Sequence, residues 1–168
     1  MSGVGSVLYW IVGVVAVQRL GELWLSRRNT RRLLDQGGVE HGARHYPLIV
    51  AVHLAWLAAL VLWVDAGTEP SWLFLVLYLA LQLARVWILW SLGRFWTVRV
   101  ITLRDAPLIR RGPYRFLRHP NYVVVSAEIA VLPLVFGAWE LALGFTLANL
   151  AILRHRITVE NAALAERA

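Results

Sequence analysis

Five apolar runs, residues 4–17, 48–64, 72–92, 122–136 and 141–153, are almost free of charge and dominate this chain of 168 residues. Each approaches the ~20 residues that an α-helix needs to cross a bilayer. With 59% of the residues hydrophobic, a water-soluble fold of this size lacks the interior to hide so much apolar surface. The expected architecture is therefore all-α: one integral membrane bundle over residues 1–168, with about five spans near 4–25, 48–64, 71–92, 121–136 and 138–153. The first run reads as a retained span rather than a cleaved leader, since no basic residue precedes it and its helical pattern continues to Leu25.

The net charge of +7 comes entirely from arginine, because the 17 cationic residues include no lysine. Five arginines fall in 27–44, seven in 94–118 and three after residue 153, whereas the connections 65–70 and 137–140 carry only acidic charge. This alternation is the positive-inside pattern. It places the N-terminus outside a bacterial-type cytoplasmic membrane, with the C-terminus and the basic segments in the cytoplasm. Topology and the lipid bilayer thus account for the charge, and nucleic acid is not an expected partner. Cysteine is absent, which excludes disulfides, thiolate nucleophiles and Cys-ligated metals. His41 and His45 have an i, i+4 spacing, but Gly42 between them and Gly37-Gly38 before them argue against a chelating helix, so no metal is expected.

Chemistry concentrates in the segment 94–122, RFWTVRVITLRDAPLIRRGPYRFLRHPNY, with the tail 154–164. It is long for a connection in a compact membrane protein, and its aromatic and apolar residues do not look disordered. Gly112-Pro113 marks a turn, and Pro120 restricts His119 to an extended conformation. The tail beyond Leu153 reads as a cytoplasmic amphipathic helix. Within the spans, Arg85 and Glu128 are costly in hydrocarbon. They either pair inside the bundle or, for Glu128, act as a base or substrate-orienting group. Arg19 and Glu22 share one helix face near an interface. The tryptophans near span ends, among them Trp10, Trp24, Trp63, Trp72, Trp90 and Trp96, are expected to anchor at the membrane surface.

The ordered set Leu108-Ile109, Gly112, Tyr114, Arg118-His119-Pro120-Asn121-Tyr122, an apolar hairpin, then Arg156-Ile157 and Glu160 resembles the isoprenylcysteine carboxyl methyltransferase family. Further signals, SRRN at 26–29, His45-Tyr46-Pro47, RFWT at 94–97 and RITVEN at 156–161, look like a small bacterial branch of it. Members of that branch accompany type III polyketide synthases and O-methylate alkylpyrones or alkylresorcinols. The resemblance implies an S-adenosyl-L-methionine cofactor. Its pocket would be formed by Leu108, Ile109, Gly112, Tyr114, His119, Pro120, Asn121 and Tyr122, with Glu160 a further contact and Arg156 beside the substrate. One departure is that many relatives have a Glu pair where this chain has Glu160-Asn161, and the aromatic tail that often follows is missing. It weakens prenylated-protein substrates more than the cofactor.

The function implied is S-adenosylmethionine-dependent O-methylation of a lipophilic small-molecule acceptor, a long-chain hydroxypyrone or phenolic lipid. The catalytic candidates are Arg156 and Glu128. Arg156 would orient an anionic oxygen through its planar donor fork. The alternatives are carboxyl methylation of an isoprenylcysteine-like substrate, a membrane NADPH-dependent sterol-type reductase, and a non-enzymatic membrane scaffold.

Overall fold

The computed structural model of the chain describes residues 5–43, 46–104, 106 and 109–165. Five helices form it: α1 (Gly5–Asp35), α2 (Tyr46–Trp63), α3 (Trp72–Leu92), α4 (Pro120–Val135) and α5 (Trp139–Ala165). Two three-residue strands, β1 (Val39–His41) and β2 (Val100–Thr102), pair antiparallel with Glu40 opposite Ile101. This ribbon is an addition to the all-α expectation. Its strands are too short to show alternation in the sequence.

Three helical stretches, Val7–Asp35, Tyr46–Trp63 and Trp72–Phe95, are long and apolar enough to cross a membrane. Their outer faces carry large exposed apolar side chains, including Trp10, Leu62, Leu83 and Trp90. Water would penalise such a surface and lipid does not; the chain is an integral membrane protein. Of the two remaining expected spans, α4 has 16 residues and reaches ~24 Å, shorter than a ~30 Å hydrocarbon core. It forms the bundle's interior. Val124, Val125, Glu128, Ile129, Leu132 and Val135 are all buried, and α4 packs against both α3 and α5. Trp56 and Leu60 of α2 complete this core with Leu8, Val12 and Val15 of α1. The tail expected as a separate amphipathic helix is continuous with the last apolar run in the 27-residue α5. No Gly or Pro interrupts residues 145–165, so nothing stops the helix there.

α1 also runs farther than its apolar stretch, through the arginine cluster to Asp35. Gly37 then takes φ 86°, and the Gly38 N–H donates to Leu33 O at 2.8 Å. A Cβ at Gly38 would lie 2.6 Å from that carbonyl, so glycine is required for the chain to close back over the helix end.

This extension positions the segment after α3. Asn29 Nδ2 donates to the carbonyls of Gly93 and Trp96, at 3.2 and 2.9 Å, and Ser26 Oγ accepts from the Val98 N–H at 2.8 Å. The SRRN and RFWT signals, 64 to 67 residues apart for these bonds, are thus two halves of one junction. Arg99 reaches Glu40 at 2.9 Å and lies over the Tyr46 ring at 4.8 Å, tying the ribbon to the start of α2.

Candidate functional site

Residues 149, 153, 156 and 160 of α5 are spaced by four, three and four, which puts Asn149, Leu153, Arg156 and Glu160 on one helical face. That face meets the first turn of α4. Here the Tyr122 hydroxyl donates to Glu160 Oε2 and accepts from Arg156 Nε at 2.7 Å. The His119 ring stacks on Tyr122 with centroids 5.2 Å apart, and His119 Nδ1 stands 3.6 Å from Glu160 Oε1. His119 is the N-cap of α4 with φ −130° and ψ 59°, outside the helical region that a following proline disfavours but not in the extended conformation expected from Pro120. Arg156, His119, Tyr122 and Glu160 therefore form one cluster.

Two cavities meet at it. One, of about 170 Å³, is bordered by the β2 strand, Tyr114, Arg118, His119 and Glu160. The other, of about 230 Å³, runs between α1, α2, α4 and α5 past aliphatic walls such as Leu20, Val50, Leu57, Val125 and Leu153. Trp96, Asn121, Tyr122 and Arg156 line both. At this shared wall Trp96 Nε1 and Asn121 Oδ1 are buried with no hydrogen-bond partner among the described residues, one a donor and the other an acceptor. Arg156 uses Nε on Tyr122, and its two Nη groups make no hydrogen bond to the described residues.

The sequence-derived candidates divide on this geometry. Tyr114, His119, Asn121, Tyr122, Arg156 and Glu160 all line the first cavity. Burial, and then the charge of Glu160, push the Tyr114 phenol above its ordinary value of 10.0, so it remains a donor at neutral pH. Pro120 is buried as the first residue of α4 and acts on His119 through the backbone. Ile109 borders a separate open groove with Arg94, Arg110 and Arg111. Gly112, at φ +58°, lies against α3, where a Cβ would come 2.1 Å from Ser91 Oγ; it seats the Gly112–Arg115 turn rather than contacting the cavity. Leu108 and His45 lie outside the described residues.

Glu128 sits apart, fully buried. Its Oε2 accepts from Arg19 Nη2 at 2.7 Å and Arg85 Nη1 at 2.8 Å, and its Oε1 from Gln82 Nε2 at 2.9 Å. Arg85 also grips Glu22 through Nε and Nη2, and Arg19 reaches Glu22 at 3.1 Å. Two cations and two carboxylates thus neutralise one another across α1, α3 and α4, as intramembrane charges must. Glu128 is not among the described residues lining either cavity.

Two site residues escaped the sequence reading. Trp96 is 2% exposed, the opposite of the surface anchor expected from its place near a span end, because Asn29 draws its backbone inward. His53 lines the aliphatic cavity; a lone histidine in an apolar run gave no signal beyond its presence.

The fold and site together define a helical membrane protein with a polar cavity and an apolar one joined at an arginine. More particularly, the chain belongs to the isoprenylcysteine carboxyl methyltransferase family, whose model matches residues 73–166. It is similar to the uncharacterized protein YpbQ of Bacillus subtilis, at 33% identity over 164 residues covering 95% of this chain and 98% of that one. It also resembles an uncharacterized protein of Haemophilus influenzae, at 26% identity over 153 residues, 87% of this chain and 88% of the relative. No solved structure matches the chain. Membership identifies it as a membrane methyltransferase in general terms.

Proposed function

We propose that this protein is an S-adenosyl-L-methionine-dependent O-methyltransferase whose acceptor is a long-chain hydroxypyrone or phenolic lipid. The observation that carries the reading is the wall shared by the two cavities at Trp96, Asn121, Tyr122 and Arg156. A polar methyl donor and an apolar acceptor require compartments of opposite character, and the reacting atoms must meet where these touch. The arginine-rich end of the bundle faces the cytoplasm in this reading, with the N-terminus outside.

The residues of the first cavity fit the cofactor. Trp96 Nε1 and Asn121 Oδ1 are a donor and an acceptor without a partner among the described residues, and a buried polar atom without a partner is costly until a ligand supplies one. Glu160 offers a carboxylate to a cationic ligand, while Arg99 and Arg118 border the same space. When bound, S-adenosylmethionine supplies a methyl group activated by its sulfonium. The chain's own residues have the remaining tasks of alignment and exclusion of water.

Arg156 is the orienting group. Its Nη donors lie at the shared wall, and the guanidinium stays charged at any working pH. An anionic acceptor oxygen held there is turned toward the first cavity, while the alkyl chain occupies the second. Tyr122 fixes Arg156 by accepting from Nε, and Glu160 fixes Tyr122 by accepting a hydrogen bond from its hydroxyl. A hydroxypyrone is acidic enough to arrive ionised, whereas a phenol of pKa near ~10 must give up its proton to solvent water as the methyl group passes from sulfur to its oxygen. Glu128 is a structural member of the ion quartet in this reading, since its carboxylate is already saturated by Arg19, Gln82 and Arg85.

The test is calorimetric titration of S-adenosylhomocysteine into the purified protein, followed by assay of labelled methyl transfer to a long-chain hydroxypyrone. Saturable binding and a labelled lipid are expected. Absence of both overturns the proposal.

A further inference from the structure

The acceptor cavity is not uniformly apolar. Four of its charged or polar wall groups, Arg19, Glu22, Arg85 and Asn149, already make hydrogen bonds to other side chains. His53 differs. Its Nδ1 lies 2.8 Å from the carbonyl oxygen of Ile49. A carbonyl only accepts, so the proton must sit on Nδ1, and in the neutral ring Nε2 is left as an acceptor. Nε2 has no partner among the described residues, and the edge-on contact with Trp56, at 6.4 Å and 80°, holds the ring's orientation.

The position of His53 along the cavity is fixed by helical spacing. Ile49 lines a small recess together with Arg156, and also the acceptor cavity. His53 follows four residues, about one turn, farther along α2, ~6 Å deeper. That offset is comparable with the breadth of a six-membered ring. Arg156 and His53 line the same cavity, so an acceptor ring whose reacting oxygen sits at Arg156 can present a second polar group to His53.

We propose that His53 is a specificity-determining residue, whose Nε2 accepts a hydrogen bond from a second hydroxyl on the acceptor ring, meta to the oxygen that is methylated. The inference rests on the reading of the second cavity as the acceptor site and narrows its substrate class to phenolic lipids that bear a second hydroxyl. A plain hydrocarbon chain leaves Nε2 desolvated and unpaired, and sites built to bond a hydroxyl reject the analogue that lacks it.

The experiment compares three long-chain lipids of equal chain length: an alkylresorcinol, its alkylphenol lacking one hydroxyl, and its monomethyl ether. Wild-type protein is expected to favour the alkylresorcinol by about tenfold in kcat/KM, the effect of one net hydrogen bond, carried mainly by KM. The ether, which keeps the oxygen but not its proton, should be as poor as the phenol. His53→Phe should erase the preference to within about twofold, and His53→Gln, whose amide oxygen replaces Nε2, should retain most of it. S-adenosylhomocysteine affinity should be equal in all three proteins. A preference that survives in His53→Phe, or an ether as good as the diol in the wild type, overturns the role of His53 alone. The ether arm decides the matter even if His53→Phe does not fold. Methylation of none of the three lipids, with the cofactor product still bound, overturns the acceptor reading itself and this inference with it.

Discussion

The Tyr122 hydroxyl stands between Arg156 and Glu160, accepting from the first at 2.7 Å and donating to the second. One side chain at the start of α4 thereby sets the relative placement of two residues a turn apart on α5, and the His119 ring stacked on its face completes the arrangement. The cofactor-side and acceptor-side groups are consequently not independent.

Removing the hydroxyl should uncouple them. In Tyr122→Phe the Arg156 guanidinium loses its only side-chain hydrogen bond to a described residue. Turnover should fall about tenfold to a hundredfold, as expected when a positioning contact is lost. The melting temperature should move by no more than a few degrees. Methyl-transfer kinetics with differential scanning fluorimetry in detergent check both quantities.

Arg156→Ala should cut turnover by at least about a hundredfold while S-adenosylhomocysteine affinity stays within about threefold. Arg156→Lys should recover only part of the loss, because an ammonium lacks the planar fork. Calorimetry and steady-state kinetics on the same preparations separate binding from turnover.

Glu160→Ala and His119→Ala should have the opposite signature. Each should weaken S-adenosylhomocysteine binding by about tenfold or more while the protein remains folded. Unchanged affinity in both variants would contradict their place in the cofactor site.

Glu128 tests the distinction between structure and chemistry. Glu128→Ala leaves Arg19 and Arg85 buried with one carboxylate between them, and breaking a buried ion pair from one side costs about 3–5 kcal/mol. The variant should therefore show a large loss of folded yield. Glu128→Gln, which keeps the shape and an acceptor oxygen, should retain turnover within about threefold wherever it folds, whereas a general base would lose nearly all of it.

Gly112→Ala should destabilise the Gly112–Arg115 turn, since the added Cβ falls 2.1 Å from Ser91 Oγ at a positive φ. A cost of about 1–3 kcal/mol is expected. Ser91→Ala in the same chain should relieve part of it by removing the oxygen. Thermal unfolding of the single and double variants measures the recovery.

What the sequence disclosed follows from the range of the interactions involved. The apolar runs are local, so α2, α3 and α4 could be located to within a few residues, whereas α1 continues ten residues past its expected end at Leu25. The cluster of His119, Tyr122, Arg156 and Glu160 spans 42 positions and was reached only because its residues occur in a family order. Arg85 and Glu128 announced a pairing by their cost in hydrocarbon, but Arg19 and Glu22 joined them through packing that no spacing records. The inward turn of Trp96 depends on Asn29, 67 residues away, and the cavity face of His53 depends on a hydrogen bond within its own helix. Neither leaves a periodic trace. The β ribbon was missed for a related reason, because three-residue strands gain their identity from a partner 61 residues distant.

The most direct test of the account is single-turnover transfer of an isotopically labelled methyl group from S-adenosyl-L-methionine to a long-chain hydroxypyrone and to an alkylresorcinol, by purified protein in lipid nanodiscs. Wild-type protein should place the label on the ring oxygen and release one S-adenosylhomocysteine per methyl transferred, and Arg156→Ala should bind the cofactor yet transfer about a hundredfold more slowly. Cofactor binding by both proteins with equal transfer rates, or no transfer by the wild type to any ring-bearing lipid, would contradict a reaction centre at the junction of the two cavities.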